Sequence, residues 1–186
     1  MTVTIRAAQI PDVPALASLA ALTFPLACPP DAGETDIAAF IGSNLAAENF
    51  DGFIVDPRAA VLVAQEHGAL LAYSLLVAEP PSDSKVAAAV TALPAIELSK
   101  FYVHPEHHGG GTARRLMNDS VNRAREFGGA SVWLGVDSEN TRALRFYAKC
   151  GFHEVGTKSF RLGARVEHDF VLQLVIDDYP GTAGIR

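Results

Sequence analysis

The order in which apolar periodicity changes along the chain predicts a mixed α/β protein: one sheet of about seven strands with helices on both faces. Short β-prone runs and runs with a three-to-four-residue apolar period follow one another as β-α-α-β-β-β-α-β-α-β-β. Hairpins crowd the front half and strands alternate with helices in the middle, a pattern that calls for a sheet covered on two sides. No repeat and no splitting linker interrupts the 186 residues. They read as one domain, residues 1–176, followed by a fraying tail at 177–186.

Each element has a local cause. Val3 to Arg6 is short and β-prone. Pro11 suits a first helical turn, and Val13, Leu16, Leu19 and Ala20 then share a face. The prolines at 25, 29 and 30 make Phe24 to Asp31 a loop. Ile37, Phe40, Ile41, Leu45 and Ala46 stripe a second helix over about 34–48. Ala59 to Gln65 and Leu70 to Val77 form a hairpin turning at His67-Gly68. The Ala-, Ser- and Pro-rich stretch 79–94 is a loop with room for a helical turn. Ile96 to Val103 is a strand. Ala113, Leu116, Met117, Val121, Ala124 and Phe127 stripe the next helix, which Gly128-Gly129 closes. Ser131 to Val136 is a strand, Asn140 caps a helix through Lys149 that Gly151 ends, and Phe152 to Arg161 and Val166 to Val175 are the last two strands.

Composition removes several functions. Hydrophobic residues at 49% and charged ones at 19% describe a globular chain. A formal charge of −6 disfavours nucleic acid as the partner. Cys28 and Cys150 form neither a metal pattern nor a disulfide framework. The N-terminus lacks the charged and apolar regions of a signal peptide. The longest apolar region, Ala59 to Val77, is broken at Gln65-Glu66-His67-Gly68 and is no membrane span. A cytoplasmic location is the default expectation, and the sequence is silent on whether the chain forms a homodimer.

Between the strand ending at Val103 and the helix from Ala113 lies His104-Pro105-Glu106-His107-His108-Gly109-Gly110-Gly111-Thr112. A glycine turn that opens a helix presents free N–H groups at the positive end of the helix dipole, and so can hold an anion. A P-loop would need Lys-Ser/Thr after the last glycine, where Thr112-Ala113 stands. A dinucleotide fingerprint would need a third glycine at Arg114. A purely structural turn stays open on the glycines alone. His104, His107 and His108 have no companion ligands at metal spacing, so no metal is expected.

The stretch Val103 to Ala113 resembles the acetyl-CoA loop of the GNAT superfamily of N-acetyltransferases. That pattern runs Gln or Arg, two residues, Gly, one residue, then Gly or Ala. Gly111 and Ala113 match, and His108 stands in place of Gln or Arg. Asn140-Thr141-Arg142-Ala143-Leu144-Arg145-Phe146-Tyr147-Ala148-Lys149-Cys150-Gly151-Phe152 resembles the second motif, Asn-x-x-Ala-x-x-Phe-Tyr-x-x-x-Gly-Phe. Val132 to Val136, Ser159 to Gly163 and Asp169 look like the bacterial polyamine (spermidine/spermine-type) branch.

The resemblance implies a mostly antiparallel sheet and acetyl-CoA as cosubstrate, with no metal. It implies that backbone groups of Phe101, Tyr102 and Val103 pair with the cofactor arm in a gap beside the fourth strand, and that the Val103 N–H polarises the thioester carbonyl. Gly109, Gly110, Gly111, Thr112 and Ala113 would hold the diphosphate, with His108 beside it. Arg114 either adds charge there or is a solvated helix-face arginine. Asn140, Ala143, Phe146 and Tyr147 would line the arm. Tyr147 is the implied general acid, since a phenol stays protonated at neutral pH and can protonate a thiolate. Glu97 is the candidate base for the acceptor ammonium; a substrate-binding anion and a structural carboxylate are the other readings. Asp31, Glu34 and Asp36 either receive a polyamine or are solvated carboxylates near a helix start. Neither cysteine has a nucleophile's setting, so transfer to a small primary amine is expected to be direct. A protein N-terminus or lysine is the alternative acceptor, and a non-catalytic acetyl-CoA-binding module is the alternative class.

Overall fold

The structure is a computed structural model, and it describes residues 3–181. Its strands are β1 (Thr4–Ala7), β2 (Ala59–Glu66), β3 (Ala69–Val77), β4 (Ala95–Val103), β5 (Ser131–Asp137), β6 (His153–Leu162) and β7 (Arg165–Val175). Its helices are α1 (Val13–Thr23), α2 (Glu34–Asn44), α3 (Ala47–Val55), α4 (Ser84–Ala89), α5 (Thr112–Glu126) and α6 (Thr141–Lys149). The strands form one sheet in the order β1-β2-β3-β4-β5-β7-β6. All pairs are antiparallel except β4–β5.

Helices cover both faces because the strands of the sheet's middle are apolar on both. On one face α5 and α6 bury Leu116, Met117, Val121 and Tyr147 against Leu76, Leu98, Val132 and Leu134. On the other, α1 to α3 bury Leu16, Ala20, Leu45 and Phe50 against Val61, Val63, Tyr73 and Leu75. The apolar stretch Ile10–Ala27 is long enough and apolar enough to cross a membrane by length and composition. Here it is α1 with a 3-10 turn at each end, and Val13, Leu16, Leu19 and Phe24 lie in the core.

Two elements differ from expectation, the second helix and the tail, and the 79–94 stretch agrees with it. The second helix is two helices. Leu45 leaves the helical conformation to bury its side chain at 2% exposure, and the Asn49 side chain then accepts the Ala46 N–H at 2.9 Å and starts α3. The 79–94 stretch does hold a helical turn, α4, capped by Asp83, which accepts the N–H groups of Lys85 and Val86. The tail is ordered as far as it is described. Ile176–Asp178 is a 3-10 turn, Tyr179 packs on the core, and Arg114 donates to the Gly181 carbonyl at 2.8 Å. Residues 182–186 lie outside the described residues.

Two irregularities position the site. β4 and β5 are paired only at Ala95, Ile96 and Glu97 against Ser131, Val132 and Trp133. Beyond Glu97, β4 keeps β3 alone as a partner and β5 keeps β7. The second is a bulge: Leu76 faces Leu98 and Leu75 faces Lys100, leaving Ser99 as the extra residue. A bulge bends its strand and breaks the alternation of its side chains. Leu98 and Phe101 therefore share the α5 face, while Tyr102 joins the opposite core.

The short register that remains depends on Gly129, just ahead of β5. A Cβ there would lie 2.6 Å from Ile96 Cγ1 and 3.0 Å from the Ala124 carbonyl oxygen. We expect Gly129→Ala to cost about 1–3 kcal/mol, as overpacking does. Urea denaturation checks this: the midpoint should fall with the slope unchanged.

Candidate active site

A cleft of about 470 Å³ opens where β4 and β5 part. Its walls are β4 from Glu97 to Val103 and the β5 end from Gly135 to Asp137, with α6 and the glycine loop closing one end. The β4 backbone that faces the gap follows from the register. His104 N–H donates to the Leu71 carbonyl at 2.8 Å, and these residues lie opposite each other. Hydrogen-bonded and non-hydrogen-bonded pairs alternate in an antiparallel ladder. Tyr102 thus spends its backbone groups on Tyr73, whereas those of Phe101 and Val103 point toward the gap. The backbone role expected for Tyr102 is corrected accordingly. Its ring stacks on Tyr73 at 5.5 Å, and the residue lines the cleft.

The loop continues β4 through a 3-10 turn at Pro105–His107. Gly109 and Gly111 adopt φ of 81° and 83°, values that favour glycine, and Gly111 caps α5. The backbone N–H groups of the first α5 turn, at Thr112, Ala113 and Arg114, have no partner within the helix. His108, Gly109 and Ala113 line the cleft. Gly110 and Gly111 are exposed and Thr112 is buried.

Arg114 does not serve this loop. Its guanidinium donates to the Lys149 carbonyl at 3.1 Å and the Gly181 carbonyl at 2.8 Å, and it sits over the Tyr179 ring. It ties α5 to the end of α6 and to the chain's last described turn. The cationic role expected for Arg114 is corrected for that reason. His108 turns inward: its Nε2 lies 3.0 Å from the Val103 carbonyl oxygen, and Arg142 Nη1 lies 3.1 Å from its Nδ1. His104 and His107 face each other edge-on. Among the described residues, no three His, Cys, Asp or Glu side chains converge as metal ligands do.

From α6 the cleft receives Asn140, Arg142, Ala143, Phe146 and Tyr147. Asn140 caps the helix by accepting the Ala143 N–H at 3.1 Å. Phe146 stacks on Phe101 at 5.6 Å. Tyr147 meets Phe101, Phe146 and Phe152 edge-on. Burial raises the Tyr147 phenol well above its ordinary range, with smaller upward contributions from Tyr102 and Cys150. It is protonated at neutral pH.

The other end of the cleft is charged. Glu97 is half-buried, and burial raises its pKa against the opposing pull of Lys158 and Lys100. Burial lowers the Lys100 pKa, which Glu97 partly offsets. Across three neighbouring strands Asp137, Asp169 and Lys158 stand side by side. Asp169 is 9% exposed, and burial pushes its pKa up to about 6, against Lys158. Sequence reading named Glu97 and Asp169 but missed Lys100, Asp137, Lys158 and Glu167, because the group is assembled from four strands, β4 to β7; only the apolar-polar breaks in β6 and β7 hint at it. The acidic group proposed from sequence is different. Asp31 is paired with Arg165 at 2.8 Å, and Glu34 and Asp36 sit in the first turn of α2.

The comparisons with known proteins agree with this geometry. The Acetyltransferase (GNAT) family profile matches residues 24–152. An uncharacterized N-acetyltransferase of Mycobacterium tuberculosis (strain H37Rv) is 42% identical over 161 residues, covering 87% of this chain and 96% of that protein. The PaiA N-acetyltransferase of Thermoplasma acidophilum, solved with coenzyme A, has the same fold with a TM-score of 0.71 at 19% identity, over 94% of this chain and 99% of that one. A Vibrio cholerae spermidine N-acetyltransferase chimera does so with a TM-score of 0.68 at 20% identity, over 96% and 98%. The chain belongs to the GNAT acetyltransferase family. It is an acetyl-CoA-dependent N-acetyltransferase.

Cys28, unremarkable in sequence, also lines the cleft. Burial pushes its thiol up to about 11, helped by Asp137 and Glu167. A thiol so raised is a poor nucleophile at neutral pH. Alkylation of Cys28 by iodoacetamide at pH 7.5 should run about one to two orders of magnitude slower than that of a free thiol, and climb with pH toward 11. Mass spectrometry of the Cys28 peptide measures it.

Proposed function

We propose that the chain transfers the acetyl group of acetyl-CoA to the primary amine of a small, cationic, polyamine-like acceptor, by direct attack with both substrates bound. The observation that carries this reading is the parting of β4 from β5, with Glu97 and Tyr147 lining one cleft. The acetyl thioester supplies an acyl carbon open to attack by an amine. The chain's residues do the rest. Phe101 and Val103 offer backbone groups to the arm as a sheet edge receives a strand. The Val103 N–H is the donor for the carbonyl oxygen as charge develops there. The N–H groups from Gly109 to Ala113 take the diphosphate. Asn140 keeps its side-chain NH2 for the arm, and Ala143 and Phe146 form its wall.

The acceptor ammonium sheds two protons in the reaction. One leaves through Glu97 before attack. Attack then forms the C–N bond and breaks the C–S bond. Tyr147 gives its proton to the departing sulfur, and the second amine proton restores the phenol. The charged end supports a cationic acceptor: Glu97, Asp137, Glu167 and Asp169 outnumber Lys100 and Lys158. The likeness of Ser159 to Gly163 and of Asp169 to the polyamine branch adds support. The raised Cys28 thiol favours direct transfer over an acyl-cysteine route.

A thiol-release assay over spermidine, amino acids, aminoglycosides and peptides tests the reading. Fastest turnover with spermidine is the expected result; no release with any acceptor would return the chain to a binding role. Tyr147→Phe should lower kcat by about a hundredfold while acetyl-CoA still raises the melting temperature as in the wild type. The rate should fall as pH drops through the raised Glu97 pKa, because only the carboxylate accepts a proton. In Glu97→Gln that acidic limb should vanish along with most of the activity; a limb that persists removes Glu97 from the base role.

A further inference from the structure

Building on the acetyl-CoA reading above, we propose that Arg142 of α6 supplies the side-chain cation for the diphosphate of CoA, with His108 as its positioning residue. The glycine loop itself provides backbone donors, and the side chain it turns to the cleft is the ring of His108.

The cations near the loop sort by elimination. Arg114 is committed to Lys149 and Gly181, and Arg115 Nη1 donates to the Val3 carbonyl at 3.2 Å. Lys100 and Lys158 line the cleft at its other end, beside Glu97 and Asp169. Among the described residues, Arg142 is the guanidinium that lines the cleft at the loop end. It is exposed, and among the described residues it takes part in no ion pair. Among those residues its side-chain hydrogen bond runs to His108 Nδ1 at 3.1 Å.

That bond has a defined direction. A guanidinium has donors only, so Arg142 donates and Nδ1 accepts. Nε2 therefore carries the ring proton and donates to the Val103 carbonyl oxygen at 3.0 Å. The ring is a neutral spacer clamped between the end of β4 and the first turn of α6. It fixes where the guanidinium stands and adds no charge itself. Arg142 keeps its remaining N–H donors for phosphate oxygens, in the planar fork that phosphate accepts. The Val103 carbonyl has a second lone pair, so the His108 bond does not bar the cofactor arm from the same oxygen.

Calorimetric titration with CoA, dephospho-CoA and pantetheine tests this on the full chain. Arg142→Ala should weaken CoA and dephospho-CoA binding equally, by about tenfold, and leave pantetheine binding and the unliganded melting temperature unchanged. Its CoA affinity should also depend less steeply on salt. His108→Ala should weaken CoA binding by about threefold, and the Arg142→Ala/His108→Ala pair should bind as Arg142→Ala does, because a positioning residue has nothing left to position. Arg142→Ala/His108→Arg should recover most of the lost affinity. Equal loss for pantetheine, a loss confined to CoA over dephospho-CoA, or additive losses in the pair would each overturn the proposal. Wild type that binds CoA no better than Arg142→Ala sinks this inference alone; folded wild type that binds no CoA sinks the acetyl-CoA reading with it.

Discussion

Two strands that begin as neighbours and then separate set the terms for the rest of this molecule. β4 and β5 share a register of three residues and then diverge. A sheet interior with unpaired backbone is costly unless something completes it. Here the groups without a strand partner belong to Phe101 and Val103, on a strand whose other edge pairs with β3 on either side of the Ser99 bulge. The core on both faces holds the divergence open. Leu98 and Phe101 are anchored under α5 and α6, and Tyr102 under α1 to α3. The bulge at Ser99 lets one strand serve both cores.

From that gap the two ends of the cleft acquire opposite characters. At the loop end the donors are backbone N–H groups at the start of α5 and a guanidinium steadied by a neutral ring. At the other end carboxylates and lysines meet in partial burial. Desolvation raises Glu97 and Asp169 and lowers Lys100, and each is partly restored by its neighbours. Groups poised in this way exchange protons more readily than free side chains, as acid–base chemistry requires. The aromatic cluster of Phe101, Phe146, Tyr147 and Phe152 packs around the tyrosine and buries it.

The fold was legible to the extent that it is local. The α5 stripe, the strand runs and the glycine stops each declare themselves within about fifteen residues. The second helix failed as a single element because its break is tertiary: Leu45 gives up helical geometry to reach the core. Phe50, Phe53 and Ile54 carried the spacing that identifies α3. Arg114 shows the same limit in the site. Its place in the loop motif favoured the phosphate, and only the packing of α5 against α6 and the 176–181 turn reveals that its guanidinium is turned to the Lys149 and Gly181 carbonyls.

By itself the sequence determined the seven-strand mixed sheet, the glycine loop that opens α5 and the Asn140-to-Phe152 helix motif, because each is written in contiguous residues. Tertiary structure alone decided which backbone groups face the gap, since that depends on strand register. It also decided which cation reaches the loop and which carboxylates share the far end of the cleft. Arg142 and His108 are 34 residues apart, and Asp137, Lys158 and Asp169 come from three strands whose order in the sheet differs from their order in the chain. Such juxtapositions arise from strand order and packing, which no short stretch of sequence contains.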